Sequence, residues 1–176
     1  MTPIDNVATA ANTIRFIVGE CTLGRVLVAM SDKGVRAIAF GDDPQTLTRE
    51  LRDACLDADP VADAAGLKPV LAEVVAFVEN PARGLDLPLD APGTAFQQRV
   101  WEALREIPAG SRASYGQIAL RIGAPKEAYA VGEACAANAI AVAIPCHRVV
   151  RKDGALAGYR WGFKRKRALL AREARA

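Results

Sequence analysis

The sequence has a single histidine, His147, and four cysteines in 176 residues. One imidazole is too few for the usual mixed Cys/His zinc sites. Cys21, Cys55, Cys135 and Cys146 are widely spaced with no CxxC pair, which argues against a disulfide framework or a zinc knuckle. Long apolar runs are also lacking, and none approaches the roughly 20 residues of a membrane span. Residues 1–12 are polar and alanine-rich, without the basic start and apolar core of a signal peptide. These absences lead to the expectation of a reduced, intracellular, cytoplasmic chain with no metal, no cofactor and no membrane partner.

The apolar fraction of 51% and charged fraction of 24% are ordinary for a globular protein with a full core. The net charge of +3 decides little, but its distribution is uneven. The first ninety residues are net acidic. From Cys146 onward Arg148, Arg151, Lys152, Arg160, Lys164, Arg165, Lys166, Arg167, Arg172 and Arg175 are opposed only by Asp153 and Glu173. A positive field confined to one end suits an anionic partner there, and it equally suits a solubilising C-terminal helix.

Three segments are expected over the chain: 1–12 as a flexible N-terminus, 13–90 as a small α+β domain and 91–176 as a helical domain. Residues 13–41 read as antiparallel strands. Ile14, Phe16 and Val18 alternate, then Val26, Val28 and Met30, then Val35, Ala37, Ala39 and Phe40, with Asp32-Lys33-Gly34 as a hairpin turn. Helical spacing follows from Pro44 to about Asp57 and again from Pro69 to about Glu79. The proline-rich stretch Pro81 to Gly93 reads as a linker.

In the second half Thr94 is an expected N-cap for a helix with Phe96, Val100, Trp101 and Leu104 on its apolar face. A short helix from Ser114 to near Gly123 and another from Glu127 to Ala137, joined by a glycine-containing turn, have helix-turn-helix spacing. A helical hairpin inside a core would have the same spacing. Ala128, Ala130 and Gly132 would let the second helix approach a partner surface or a neighbouring helix closely. Asn138 follows as a turn or cap residue, and Ala139 to Ile144 reads as a short buried strand.

That strand leads into Ile144-Pro145-Cys146-His147-Arg148-Val149, which puts a thiol beside the only histidine. A cysteine reacts as the thiolate, and a neighbouring imidazole or cation is what lowers its pKa. The proline fixes φ and lacks an amide hydrogen, as suits a strand end or tight turn presenting one side chain.

Pro145-Cys146-His147-Arg148-Val149, with Asn138 upstream and Gly158-Tyr159-Arg160-Trp161-Gly162 downstream, resembles the O6-alkylguanine-DNA alkyltransferases, in particular the C-terminal part of the bacterial Ada proteins. The resemblance implies a ribonuclease H-like N-terminal domain and a winged helix-turn-helix domain carrying the site. It implies direct-reversal DNA repair: a monomer binds double-stranded DNA, flips out an alkylated guanine and keeps the alkyl group on Cys146 in a single turnover. His147 would accept the thiol proton through a water, Glu173 would orient His147, and Asn138 would close the hinge beside the site. Tyr115 would help rotate the nucleotide and donate to the base edge. Val149, Tyr159, Arg160 and Trp161 would surround the base, and Tyr129, Ala128, Ala130, Gly132 and Arg148 would face DNA. Ada's zinc-binding module has no counterpart here, so the resemblance reads the chain as a stand-alone relative or a fragment.

The family's recognition helix carries an arginine where this chain has Tyr129, and Glu133 stands where its pattern prefers a small residue; Glu127 adds another carboxylate. These departures leave a second reading open, a sensor that binds alkylated DNA with weak or altered repair. The family's sensor-like relatives lack the nucleophilic cysteine, however, and Cys146 is present. A generic cysteine hydrolase is a third reading, but nothing in the sequence suggests its oxyanion hole.

Overall fold

The computed structural model describes residues 13–56 and 58–175. The segment 1–12, expected to be flexible, lies outside them, as does Asp57 at the expected end of the first helix. Three antiparallel strands, β1 (Arg15–Cys21), β2 (Gly24–Ser31) and β3 (Gly34–Gly41), are followed by helix α1 (Pro44–Ala54). The two-residue strand β4 (Val61–Ala62) runs parallel to β1 and completes the sheet order β3-β2-β1-β4.

Simple alternation does not hold along these strands. Val26, Leu27, Val28 and Ala29 of β2 are all buried, so this central strand is covered on both faces. A register shift opposite Ala29 and Met30 leaves Arg36 as an extra residue in β3. Such a bulge reverses the in/out parity of the strand. Val35, Ile38 and Phe40 therefore join one core, and Ala37 and Ala39 lie toward the other. The smaller core sits under α1 and contains Ile14, Phe16, Leu27, Ala29, Leu47, Leu51 and Cys55. Asp43 caps α1, accepting hydrogen bonds from the Gln45 and Thr46 amides.

Helix α2 (Ala64–Glu79) begins five residues before the expected Pro69. The Asp63 carboxylate accepts from the Gly66 amide and starts the helix, so Pro69 falls inside it. α2 lies across β1, with Leu71 over Gly19, where a Cβ would come within 2.6 Å of Leu71 Cδ2. After a 3-10 turn (Pro81–Arg83) the expected linker is not a free tether. The Val35 amide donates to Pro88 O at 2.8 Å and the Asp90 amide to Val35 O at 2.8 Å, so residues 88–90 pair with the outer edge of β3.

Helices α3 (Ala95–Arg105), α4 (Tyr115–Arg121) and α5 (Ala128–Ala136) form the second half. Thr94 with Gln97 and Ser114 with Gln117 make reciprocal capping boxes that start α3 and α4. β5 (Ala113–Ser114) pairs in parallel with β6 (Val149–Val150), which follows a 3-10 turn at Cys146–Arg148. α6 (Phe163–Arg175) ends the chain. Ala139 to Ile144 is not the strand its apolar run suggests. Only Ile140 bridges to Ile38 of β3, through Ile38 N–H to Ala139 O and Ala141 N–H to Ile38 O; the following residues turn. One large core runs through both halves, from Val26 and Phe77 to Leu104, Ile144 and Leu169. The architecture is mixed α+β, with the sheet in the N-terminal half and helices dominating the rest.

Gly34 is where the 88–90 segment comes against the sheet. Its φ is +149°, and a Cβ would lie 2.5 Å from Pro88 O, a backbone atom that cannot swing away. Gly34→Ala should lower unfolding free energy by about 1–3 kcal/mol in a urea titration. An unchanged midpoint would show that the 88–90 pairing contributes nothing.

Candidate active site

The residues before the reactive segment fold by side-chain bonds rather than by regular structure. Asn138 is fully buried. Its Oδ1 accepts from the Ile140 amide at 2.9 Å, and its Nδ2 donates to Ile144 O at 2.9 Å and to Cys146 Sγ at 3.3 Å. Inside this clamp Ala143 N–H bonds to Ala141 O at 2.7 Å around Val142, whose φ is +61°. For a β-branched residue that is a strained conformation. Pro145, at φ −81° and ψ 62°, sits at the centre of an inverse γ-turn closed by Cys146 N–H to Ile144 O at 2.8 Å. The rigid proline thus delivers Cys146 to the first position of the 3-10 turn.

Cys146 forms part of the wall of a cavity of about 330 Å³ with Tyr115, Gly132, Cys135, Ala136, Gly158, Tyr159 and Arg160. Burial pushes its thiol pKa up, against the Asn138 hydrogen bond and the positive charges of Lys166 and Arg160. The neighbouring groups therefore do not leave a resting thiolate, as the motif alone suggested. The sulfur is held as a protonated thiol.

His147 and Glu173 are both buried and pair with each other. His147 Nε2 lies 2.7 Å from Glu173 Oε1. Burial raises the Glu173 pKa, but hydrogen bonds and charge from His147 and Arg148 outweigh it and hold the carboxyl at about 2. An ionised carboxylate can only accept, so Nε2 carries the imidazole proton. Burial also pushes the His147 pKa down, against the pull of Glu173. The ring is thus neutral at rest with its lone pair on Nδ1. That atom is buried and makes no hydrogen bond to any described protein group, as is also true of Tyr159 Oη. The two rings meet edge to face with centroids 6.5 Å apart.

Arg148 needs correcting. Expected at the DNA surface, it is buried, with Nε donating to Glu173 Oε1 and Oε2 at 3.0 and 3.1 Å and NH2 to Oε1 at 2.8 Å. Its NH1 donates to Ile107 O at 2.6 Å, just past α3. It is tied to the Glu173 carboxylate and turned away from the surface. Several other basic residues of the C-terminal end are likewise tied inward. Arg165 reaches Leu23 O, Trp161 O and Asp42, Arg172 reaches Val78 O and Thr22, and Arg160 NH1 donates to Asn138 O at 3.1 Å. The basic tail is therefore in part internal wiring.

The remaining expected residues separate by position. Tyr115, at the start of α4, lines the cavity, and burial pushes its phenol up to about 12, which keeps it a donor. Gly132, expected to face DNA, is part of the cavity wall beside the Tyr115 ring. Ala128 and Ala130 are half-buried, whereas Tyr129 is 82% exposed. Glu127 and Glu133 are exposed. Val149 is buried, with its carbonyl taken by Lys166 Nζ at 2.7 Å. Trp161 stands behind Tyr159, edge to face at 5.2 Å, so it supports the cavity wall.

Sequence reasoning missed Cys135 on the cavity wall and Lys166 buried behind it. A signal for Lys166 existed. Lys166, Leu169, Leu170 and Glu173 follow the i, i+3, i+4, i+7 rule of a buried helix stripe, with charges at two of its positions. Among the described residues no group of three His, Cys, Asp or Glu could hold a metal ion, and no helix is long and apolar enough to cross a membrane.

The site thus joins a cavity-lining thiol, the histidine next to it in the chain and a buried glutamate brought from α6. The family model for the 6-O-methylguanine DNA methyltransferase DNA binding domain matches residues 95–175. The Escherichia coli bifunctional transcriptional activator/DNA repair enzyme Ada is 51% identical over 161 residues, covering 92% of this chain and 46% of that protein. A methylated-DNA–protein-cysteine methyltransferase from Mycobacterium bovis is 47% identical over 111 residues, covering 63% of this chain and 67% of that one. The crystal structure of Mycobacterium tuberculosis OGT in complex with DNA aligns with a TM-score of 0.71 at 34% identity, covering 92% and 93% of the two chains. The chain belongs to the methylated-DNA–protein-cysteine methyltransferase family. It spans about half the length of the Ada protein it matches.

Breaking one side of a buried ion pair costs about 3–5 kcal/mol. Glu173→Gln should therefore lower stability by about that much at pH 7. The Glu173 carboxyl titrates near 2 in the folded protein, below the usual 4.5. Its charge therefore stabilises fully above about pH 5, and that stabilisation is lost as pH falls from there toward 2. In urea titrations the gap to the unsubstituted protein should be full at pH 7 and smaller at pH 3; an equal gap at both would refute this account.

Proposed function

We propose that this chain repairs DNA by direct reversal, moving a methyl group from O6 of guanine to Cys146 irreversibly, one event per molecule. The observation that carries the reading is the pairing of a protonated cavity thiol with a neutral His147 held by Glu173. His147 Nδ1 takes the proton from Cys146, directly or through one water. The sulfur then attacks the methyl carbon. An S–C bond forms, the C–O6 bond breaks, and its electron pair stays on the purine, which takes up a proton to become guanine. Tyr115, a phenol with a high pKa, is suited to donate to the base edge. The thioether is not hydrolysed, so the protein is consumed.

A guanine stacked in a duplex must be flipped out to reach Cys146, at a cost of roughly a few kcal/mol. In this reading residues 91–176 form a winged helix-turn-helix unit, with α4 and α5 as its helix pair and the β5–β6 region as its wing. Residues 13–90 form a ribonuclease H-like scaffold, a reading supported by the β3-β2-β1-β4 order with β4 parallel to β1. Val149, Tyr159 and Arg160 frame the flipped base, and Asn138 closes the hinge beside the site. Tyr129, Ala128 and Ala130 present the DNA-facing surface of α5, with the exposed tyrosine acting as an aromatic wedge between bases. The protein acts as a cytoplasmic monomer on double-stranded DNA.

Intact mass after incubation with an O6-methylguanine oligonucleotide should rise by one methyl group. Cys146→Ala should abolish the gain, and a full-length product with no mass change in the protein would refute repair by transfer. Tyr129 lacks the charge of an arginine, and Glu127 and Glu133 repel phosphates. Tyr129→Arg should therefore bind duplex DNA several-fold more tightly in fluorescence anisotropy at matched salt. Equal affinities would remove Tyr129 as the determinant.

A further inference from the structure

The wall of the cavity that holds Cys146 carries no carboxylate and a single cation, Arg160. Its guanidinium is fixed from two sides. Nη1 donates to Asn138 O at 3.1 Å, and Cζ lies 5.7 Å from the centroid of the Trp161 ring, a cation–π contact. Asn138 in turn reaches the nucleophile, with Nδ2 donating to Cys146 Sγ at 3.3 Å, so one residue separates the cation from the sulfur. Among the described residues no ion pair includes Arg160, and Nη1 is its only side-chain nitrogen with a protein acceptor. Arg148, by contrast, is paired with Glu173, and Lys166 is buried with Nζ on Val149 O and Ala157 O. Arg160 is itself exposed, which puts its charge at the mouth of the space. A methyl group is neutral and apolar, and it gives such a cation nothing to bind.

We propose that Arg160 makes this cavity selective for O6 adducts that end in a carboxylate, so that a carboxymethyl group is taken in preference to a neutral group of the same shape. The inference deepens the repair reading and rests on it. In a carboxymethyl adduct the charge sits one carbon beyond the atom that the sulfur attacks. The unfilled N–H groups of the guanidinium form a fork that suits the two oxygens of a carboxylate, and no acidic side chain on the wall competes for them. The transfer balances as for methyl. Cys146 loses its proton to His147, an S–C bond forms to the methylene carbon, and the C–O6 bond breaks. Its electron pair stays on the purine, which takes up a proton, and the product is S-carboxymethylcysteine.

Iodoacetate and iodoacetamide test the charge without DNA. With either reagent the Cys146 sulfur attacks the methylene carbon and iodide leaves with the electron pair of the C–I bond. The two have nearly the same shape and meet the same thiolate, so protonation of the thiol cancels in the ratio of their rates. Fragment-ion mass spectrometry separates reaction at Cys146 from reaction at Cys135 on the same wall. The iodoacetate-to-iodoacetamide ratio should fall about fivefold in Arg160→Gln, the scale of one charge-assisted hydrogen bond open to water. An equal ratio in the two proteins would overturn the proposal. In a second arm, oligonucleotides carry O6-carboxymethylguanine or its neutral counterpart O6-carbamoylmethylguanine, and transfer is read as mass gained by the protein. Carboxymethyl transfer should be the faster, and Arg160→Gln should remove the difference. No difference, or one that the substitution leaves unchanged, would place Arg160 on another group such as a phosphate and overturn the proposal. Absence of transfer from either oligonucleotide, with the iodoacetate preference intact, would sink the repair reading and leave the anion-selective cavity standing.

Discussion

Glu173 accepts four hydrogen bonds inside the protein, one from His147 Nε2 and three from the Arg148 guanidinium. Through this carboxylate α6, the 3-10 turn of the reactive segment and the end of α3 become one unit, because Arg148 also binds Ile107 O. A buried charge cluster is a poor source of net stability, but breaking it is costly. The arrangement therefore fixes position more than it adds free energy. It determines which imidazole nitrogen carries the proton, and so which one is free to take another. A neutral carboxyl in the same place would leave the tautomer of His147 undetermined.

The approach to Cys146 shows why the sheet matters to a site it does not line. Residues 138–146 contain two tight turns and a left-handed valine, a path with little intrinsic preference for itself. It is held from one side by Asn138, which bonds three groups within eight residues, and from the other by β3 through Ile38. Strain of this kind persists only where surroundings over-determine it. The outer edge of β3 is thereby used twice, by residues 88–90 and by residues 139–141, and both come from the chain leading into or through the second half. Covering an exposed edge and fixing the reactive loop are the same set of hydrogen bonds.

Much of this was legible in the sequence, and the reasons for success and failure differ. The cap of α3, the start of α4, the three-stranded start and the Cys-His pair are local signals, readable because a few adjacent residues determine each. The bulge at Arg36 and the Val61–Ala62 strand were not readable, since each exists only through its partner strand. Ala139–Ile144 is apolar because it is buried, and burial alone does not distinguish a strand from a chain of turns. Arg148 escapes a sequence reading for a related reason. Within a basic run a cation looks solvated, and only tertiary structure shows that this one turns inward to a carboxylate.

Helix α5 joins two tasks on a single element. Its inner side supplies Gly132, Cys135 and Ala136 to the cavity wall, where a larger side chain would enter the space beside Cys146. Its outer side carries Tyr129 and, one turn later, Glu133. Residues four apart on a helix are neighbours, so the exposed tyrosine and this carboxylate form one surface. That surface is chemically unlike a basic recognition face. It offers a flat ring for stacking next to a charge that phosphates avoid. No described hydrogen bond or ion pair runs from Tyr129 or Glu133 to Cys146, His147 or Glu173, so the outer face can vary without disturbing proton transfer. The thiol and the His147–Glu173 pair belong to one buried cluster, whereas Tyr129 and Glu133 lie on the exposed side of α5, apart from it.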